Sequence, residues 1–482
     1  MGHNLKFELH TANQMKRHCY KFIFFILPAV IMIASCKISK RYSTPDIYLN
    51  NLYRDVNDTD TANLATISWK TLFSDTILRN LIQEGLINNL NLKIAIERIN
   101  DATAALTQSK LASYPAVSGN ISANPSRQSL AALNLQMYPG YDVNSTIYEA
   151  ALNISWEADV WGKISSFKRA ALARYLQTDA AKRVIQTQLV ADIANSYFDL
   201  LALDKQLKIT KKTVENRVAE VQTMKYLKAG AIVTGAAVAQ SEANRYAAEV
   251  SVPEINQNIR EIENAVCILV GRAPGPVNRT SLDQQNLVTT LNTGVPMSLL
   301  HNRPDVEQAE YAFREAFENT NVARSYFYPS FSITAQGGLS TLSLSNFFTG
   351  SFFVNLLTGV TQPILSQGQN KARLKSAKAQ QNEALFNFQQ SLLTSGEEVS
   401  NALFSYQSAV EKEEVRAKQV AALLKAVDYT KELMRYSSVA NYTDVLTSEQ
   451  NLLAAELNSV NDSVQKLHAI VNLYRALGGG WN

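Results

Sequence analysis

A chain of 482 residues is long enough for several compact domains, yet only 19 Gly and 12 Pro punctuate it, so few and long elements are expected. The net charge of +4 comes from Lys and Arg dispersed along helix-like stretches, and the absence of a basic stripe sets aside nucleic acid as a partner. The three cysteines give no disulfide framework, and His301 and His468 stand far apart without Cys neighbours, so no catalytic or metal-binding constellation is legible and the chain is not read as an enzyme.

At the N-terminus Lys16, Arg17 and Lys21 precede the apolar run from Phe22 to Ile33, too short for a comfortable spanning helix and patterned as the n- and h-regions of a secretory signal. Residues 1–35 are therefore expected to be a signal peptide, with Met15 as an alternative start because Met1 to Gln14 is polar. The run ends in Ile33-Ala34-Ser35-Cys36, which resembles a lipobox and predicts that Cys36 becomes a lipidated N-terminus; the alternative is an ordinary signal with an incidental Cys. Residues 36–70 lack strand or helix periodicity and are expected to be an extended segment.

The stretch 71–275 opens with a helix and continues into a β-hairpin over about 116–156. In it Val117, Ile121 and Ala123 alternate with Ser118, Asn120, Ser122 and Asn124, and Tyr148, Ala150, Leu152, Ile154 and Trp156 alternate with Glu149, Ala151, Asn153 and Ser155. Tyr138-Pro139-Gly140-Tyr141-Asp142 supplies the turn. A single helix is predicted over about 162–228, because no Gly or Pro lies between Lys163 and Ala229 and Leu189, Ile193, Tyr197, Leu200, Leu203 and Leu207 step by three and four. A break at Ala229 to Gly235 precedes a returning helix, in which Pro253 should introduce a kink.

After a linker at 276–303, the segment 304–482 repeats the plan: a helix opened by Pro304, a hairpin over about 330–361, a long helix over about 368–434 interrupted only by Gly396, and a returning helix. The repetition is visible in the letters. Tyr114-Pro115 returns as Tyr328-Pro329, an offset of 214, and Ser241-Glu242-Ala243-Asn244 returns as Ser448-Glu449-Gln450-Asn451, an offset of 207. Four strands near the ~9–11 residues that cross a bilayer at a tilt cannot close a barrel, since the smallest closed barrels have about eight and an open edge in lipid leaves backbone groups unpaired. The chain is thus expected to oligomerise, two copies or three both being sufficient.

Several motifs together resemble the TolC-like outer membrane efflux proteins, specifically the lipoprotein branch serving tripartite pumps driven by resistance-nodulation-division transporters. They are Cys36 with Tyr42 and Pro45, Trp156-Glu157-Ala158-Asp159-Val160-Trp161-Gly162-Lys163, Leu269-Val270-Gly271-Arg272-Ala273-Pro274, Arg303-Pro304-Asp305-Val306-Glu307, Gln362-Pro363-Ile364-Leu365 and Leu473 to Trp481. The resemblance implies a mixed α/β membrane protein working as a homotrimer. Its twelve strands form one β-barrel in outer membrane lipid, continued by a long periplasmic α-helical barrel. It further implies a passive, gated exit duct that receives substrate from a periplasmic adaptor (membrane fusion) protein and an inner-membrane transporter, anchored by lipid such as palmitate at Cys36 and carrying no cofactor. Within the family the second turn carries acidic residues at the periplasmic entrance. Asp444 matches such a position, Thr447 stands where a second Asp is often found, and Tyr436, Asn441 and Tyr442 are candidates for holding the bend closed. A local alternative makes Asp444 an ordinary first-turn helix residue. Two other functions stay open: a duct for type I protein or peptide secretion, and a non-conducting coiled-coil envelope scaffold.

Overall fold

The computed structural model describes residues 38–45, 47, 67–129, 143–285, 303–436 and 441–481. Cys36, the signal segment, the turn Tyr138 to Asp142, His301 and residues 437–440 of the second turn lie outside the described residues. In chain order the elements are α1 (Trp69–Leu72), α2 (Thr76–Asn88), α3 (Leu90–Leu111), β1 (Ala116–Arg127), β2 (Asn144–Ala158), α4 (Lys163–Ala229), α5 (Gly235–Leu269), α6 (Pro304–Ser325), β3 (Ser330–Thr341), β4 (Phe352–Thr361), α7 (Gln369–Tyr436) and α8 (Tyr442–Ala476). Helices α4 and α7 have 67 and 68 residues, each therefore roughly 100 Å long at about 1.5 Å per residue. Gly396 does not interrupt α7, and α5 runs through Pro253 as one helix.

Two compact units divide the chain, and each draws on both copies of the repeat. The first contains Asp101–Leu176 and Tyr311–Phe386 with the described residues up to Pro45. It holds a four-stranded antiparallel sheet in the order β1-β2-β3-β4. The strands end where the sequence turns polar and helical. Asp159 accepts from the Ile164 and Ser165 amides at 2.9 and 2.8 Å and so opens α4, while Trp161 Nε1 donates to the Pro329 carbonyl at 2.7 Å and ties that opening to the start of β3. Glu318 on α6 is buried, and its carboxylate takes both the Nε and an Nη of Arg169 on α4 at 2.7 and 2.9 Å, a bidentate pair that satisfies the charge. The segment before Pro45 is not loose: Asn321 of α6 exchanges two hydrogen bonds with the backbone of Lys40, and the Tyr42 ring packs on Phe313 and Phe317.

The second unit contains Asp46–Asn100, Gln177–Glu310 and Asn387–Asn482. Its core gathers Leu72, Phe73, Leu78, Ile82, Leu189, Ile193, Tyr197, Leu200, Val266, Ile470 and Tyr474, so the stripe read on α4 is the face that packs. Asp75 is a hub here. Its carboxylate caps α2 by accepting from the Ile77 amide at 2.8 Å and also accepts from Tyr197 Oη at 2.7 Å, Thr280 Oγ1 at 2.5 Å and Gln285 Nε2 at 2.9 Å. Arg303, directly before Pro304, is buried and donates to Asp305, Glu398 and the Ala476 carbonyl at 2.6, 2.7 and 2.7 Å, joining the start of α6 to α7 and to the end of α8. The C-terminal Gly run ends α8: Gly478 and Gly480 have φ of +89° and +109°, and a Cβ on Gly479 would strike the Tyr474 ring.

Candidate functional site

The sheet's register sorts its side chains into rows four strands wide. Ile121 faces Ala150, Ala150 faces Leu339 and Leu339 faces Phe352; four residues on, Val117, Ile154, Ala335 and Leu356 form a second apolar row. The alternate row is Ser118, Asn153, Gln336 and Asn355, and on that same face Gln336 Nε2 donates to Glu149 Oε1 at 2.9 Å. Ile147, Phe353 and Leu357 are apolar residues on the polar side, Ile147 and Leu357 of them exposed. One face is therefore greasy and the other wet. The greasy one is unburied within the chain, with Ile121 87% and Leu356 69% exposed, as a wall that expects lipid requires. At Gly338 the β2 backbone comes so close that an added Cβ would collide with the Ala150 carbonyl oxygen, which explains a glycine inside a strand. The outer edges of β1 and β4 have no partner strand among the described residues, so the sheet ends in two unsatisfied ladders.

The other sequence-predicted residues lie around the turn between α7 and α8. Asn441 caps α8, its Oδ1 accepting from the Thr443 and Asp444 amides at 2.8 and 3.2 Å, while Asp444 Oδ2 accepts from the Asn441 amide at 2.9 Å. This reciprocal capping box engages the exposed Asp444 carboxylate locally, as the first-turn alternative anticipates. Tyr442 is half-buried, and burial pushes its hydroxyl pKa up. Its Oη faces Ser241 of α5 closely enough for that hydroxyl to oppose the rise, although neither oxygen reaches hydrogen-bond geometry. Tyr436, at the end of α7, is 79% exposed.

Sequence reasoning passed over the group behind this turn. Arg217 on α4 is buried, and its Nη1 lies 3.0 Å from Glu220 Oε2 and 3.0 Å from Glu449 Oε2 on α8, so one guanidinium nitrogen serves two carboxylates. Lys431 on α7 reaches the other oxygen of Glu449 at 2.7 Å. Burial, followed by the neighbouring Glu449, pushes the Glu220 carboxyl up to about 7 against the pull of Arg217. Burial also raises Glu449, but the hydrogen bond with Glu220 and the Lys431 ammonium outweigh it and hold that carboxyl below its ordinary value. The repeat held a signal for part of this. Glu449 is the counterpart of Glu242, and Glu242 pairs with Lys225 at 2.8 Å as Glu449 pairs with Lys431, so each copy ties its long helix to its returning helix by a Lys–Glu pair. Arg217 and Glu220 have no such counterpart: at the offset of 207 they map to Leu424 and Val427.

An antiparallel four-stranded sheet with one lipid-ready face, interleaved in sequence with two helices of nearly seventy residues, defines the protomer of an outer membrane channel. Comparison with known proteins places it further. The family described as outer membrane efflux protein matches residues 81–272 and again 295–479, one match in each half of the chain. The cation efflux system protein CusC of Escherichia coli O6:H1 is 28% identical over 473 residues, covering 95% of this chain and 98% of that protein. The probable efflux pump outer membrane protein TtgC of Pseudomonas putida is 26% identical over 470 residues, 96% of each. Among solved structures, the Campylobacter jejuni CmeC outer membrane channel superposes with a TM-score of 0.82 at 21% identity, covering 92% of this chain and 95% of that one, a likeness of fold. The chain belongs to the outer membrane efflux protein family, and it is an outer membrane efflux channel.

Proposed function

We propose that three copies of this chain form the exit duct of a tripartite efflux pump, receiving substrate from a periplasmic adaptor and an inner-membrane resistance-nodulation-division transporter. The observation that carries the reading is the open sheet: two unpaired edge ladders and an unburied apolar face are satisfied together when β4 of one copy pairs with β1 of the next in lipid. Twelve strands close a barrel, with the Ser118–Asn153–Gln336–Asn355 row on its wet side. Conduction is passive, because the duct offers a water-lined path and the pump supplies the energy. Lipid at Cys36 anchors each copy beside its strands. Asp444 presents three carboxylates near the entrance while still capping its own helix, and Asn441, Tyr442 and Tyr436 hold the bend. The reading is tested by deleting the protein and measuring susceptibility to a panel of toxic organic compounds and metal ions. Increased susceptibility that returns to normal on re-expression is the expected result, and a strain with unaltered susceptibility and unaltered export of every compound overturns it.

A further inference from the structure

The group behind the second turn is built from four helices at one point. Helix α4 supplies Arg217 and Glu220, α8 supplies Glu449 and the half-buried Tyr442, α7 supplies Lys431, and α5 contributes the uncharged Ser241, which is fully buried. The remaining charges of α5 nearby are engaged elsewhere, Glu242 by Lys225 and Glu249 by Arg245 at 2.7 Å. With both carboxylates ionised, a single guanidinium nitrogen divides itself between them and two like charges sit together away from water. With one proton between them, the repulsion becomes a hydrogen bond, and Arg217 and Lys431 both serve the carboxylate that stays ionised.

We propose that Glu220 and Glu449 share one exchangeable proton, and that this proton pins α4 to the start of α8: taken up it closes the junction, released it loosens it. The inference concerns the helix junction itself and rests on the duct reading only for its consequence, control of the entrance by periplasmic acidity. The sign follows from linkage. Glu220 in the joined helices holds its proton up to about pH 7, whereas a parted, solvated Glu220 releases it near the ordinary 4.5. Stabilisation of the joined state is therefore complete below that ordinary value and is lost as pH rises toward about 7. Each pH unit within that window changes the ratio of joined to parted helices about tenfold. Between pH 5 and 8 the ratio falls by roughly fifty- to a hundredfold.

Hydrogen exchange of the full-length protein in detergent, read by mass spectrometry on peptides spanning 442–456 and corrected for the intrinsic pH dependence of exchange, measures this ratio. The opening constant of that segment should rise roughly fifty- to a hundredfold from pH 5 to 8 in the wild type, while peptides from 464–474 stay level. Glu220→Gln keeps the hydrogen-bonding shape without the titration, and it should show the protected level at both pH values. A wild-type segment whose corrected exchange is flat with pH overturns the proposal without any variant, as does an equal slope in Glu220→Gln. Single-channel conductance measured over the same pH series separates the two readings: exchange that switches while conductance does not leaves the proton pin standing and removes its role at the entrance.

Discussion

Asp444 shows how much one side chain can be asked to do. Its carboxylate accepts the Asn441 amide at 2.9 Å in the capping box, so Asp444→Ala removes a cap worth about 1 kcal/mol to the first turn of α8. If Asp444 also lines the duct, the same substitution alters single-channel conductance or cation block while the assembly stays intact; unchanged conductance and block in a correctly assembled variant leaves it with capping alone. The cap was legible in the sequence because Asn441 and Asp444 stand three apart before an apolar run. Asp75 makes a second case. Burial raises its pKa, but the hydrogen bonds from Thr280, Tyr197, Gln285 and the Ile77 amide outweigh burial and set it below the ordinary carboxylate value. A depressed folded pKa means stability that is present above the ordinary value and lost as pH falls through the depressed one. Melting curves should therefore show acid sensitivity in the wild type that is reduced in Asp75→Ala, the variant being less stable at neutral pH by about 1–3 kcal/mol. Equal acid profiles of the two would contradict the hub assignment. No local signal announced this hub, because its partners Tyr197, Thr280 and Gln285 lie between 122 and 210 residues away in the chain.

The strands and long helices follow from periodicity, and periodicity is local. Alternation along β2 named Tyr148, Ala150, Leu152, Ile154 and Trp156 as one face, and the register lines two of them, Ala150 and Ile154, up with apolar residues on both β1 and β3. Pairing order was not legible: nothing in either hairpin says that β2 should lie beside β3, a contact between strands some 180 residues apart. Nor was the Arg217–Glu220–Glu449–Lys431 group, since three separate helices must meet before those charges become neighbours. The two faces of the sheet can be told apart by substitution. Leu356→Arg places a charge on the apolar face and should cost roughly 2–4 kcal/mol near the bilayer midplane, seen as loss of folded protein from outer membrane fractions. Asn355→Arg, one residue away on the polar face, should accumulate normally. Equal loss in both, or in neither, would contradict the sidedness of the sheet.

For the molecule as a whole, the sequence carried the logic that a chain with four strands must associate, while the number of copies came from family resemblance alone. The anchor rests on a separate signal, the lipobox-like Ile33-Ala34-Ser35-Cys36 ending: mass analysis of the mature N-terminus should find acyl groups on Cys36 that Cys36→Ser lacks, and a wild-type chain that begins elsewhere without acylation would contradict it. The repeat organisation explains why both hairpins can share one sheet, since duplication supplies two copies of a hairpin that alone is too small to form a wall. It does not make the copies equivalent, because only the first carries Arg217 and Glu220 and only the second receives them at Glu449. The central claim is that open sheets of separate chains close one another into a single duct. Native mass measurement of the protein extracted from outer membranes in mild detergent tests it most directly. A discrete complex of three chains that loses its strand signal when dissociated is the expected result, and a monodisperse single chain that retains a full β-sheet signal would contradict it.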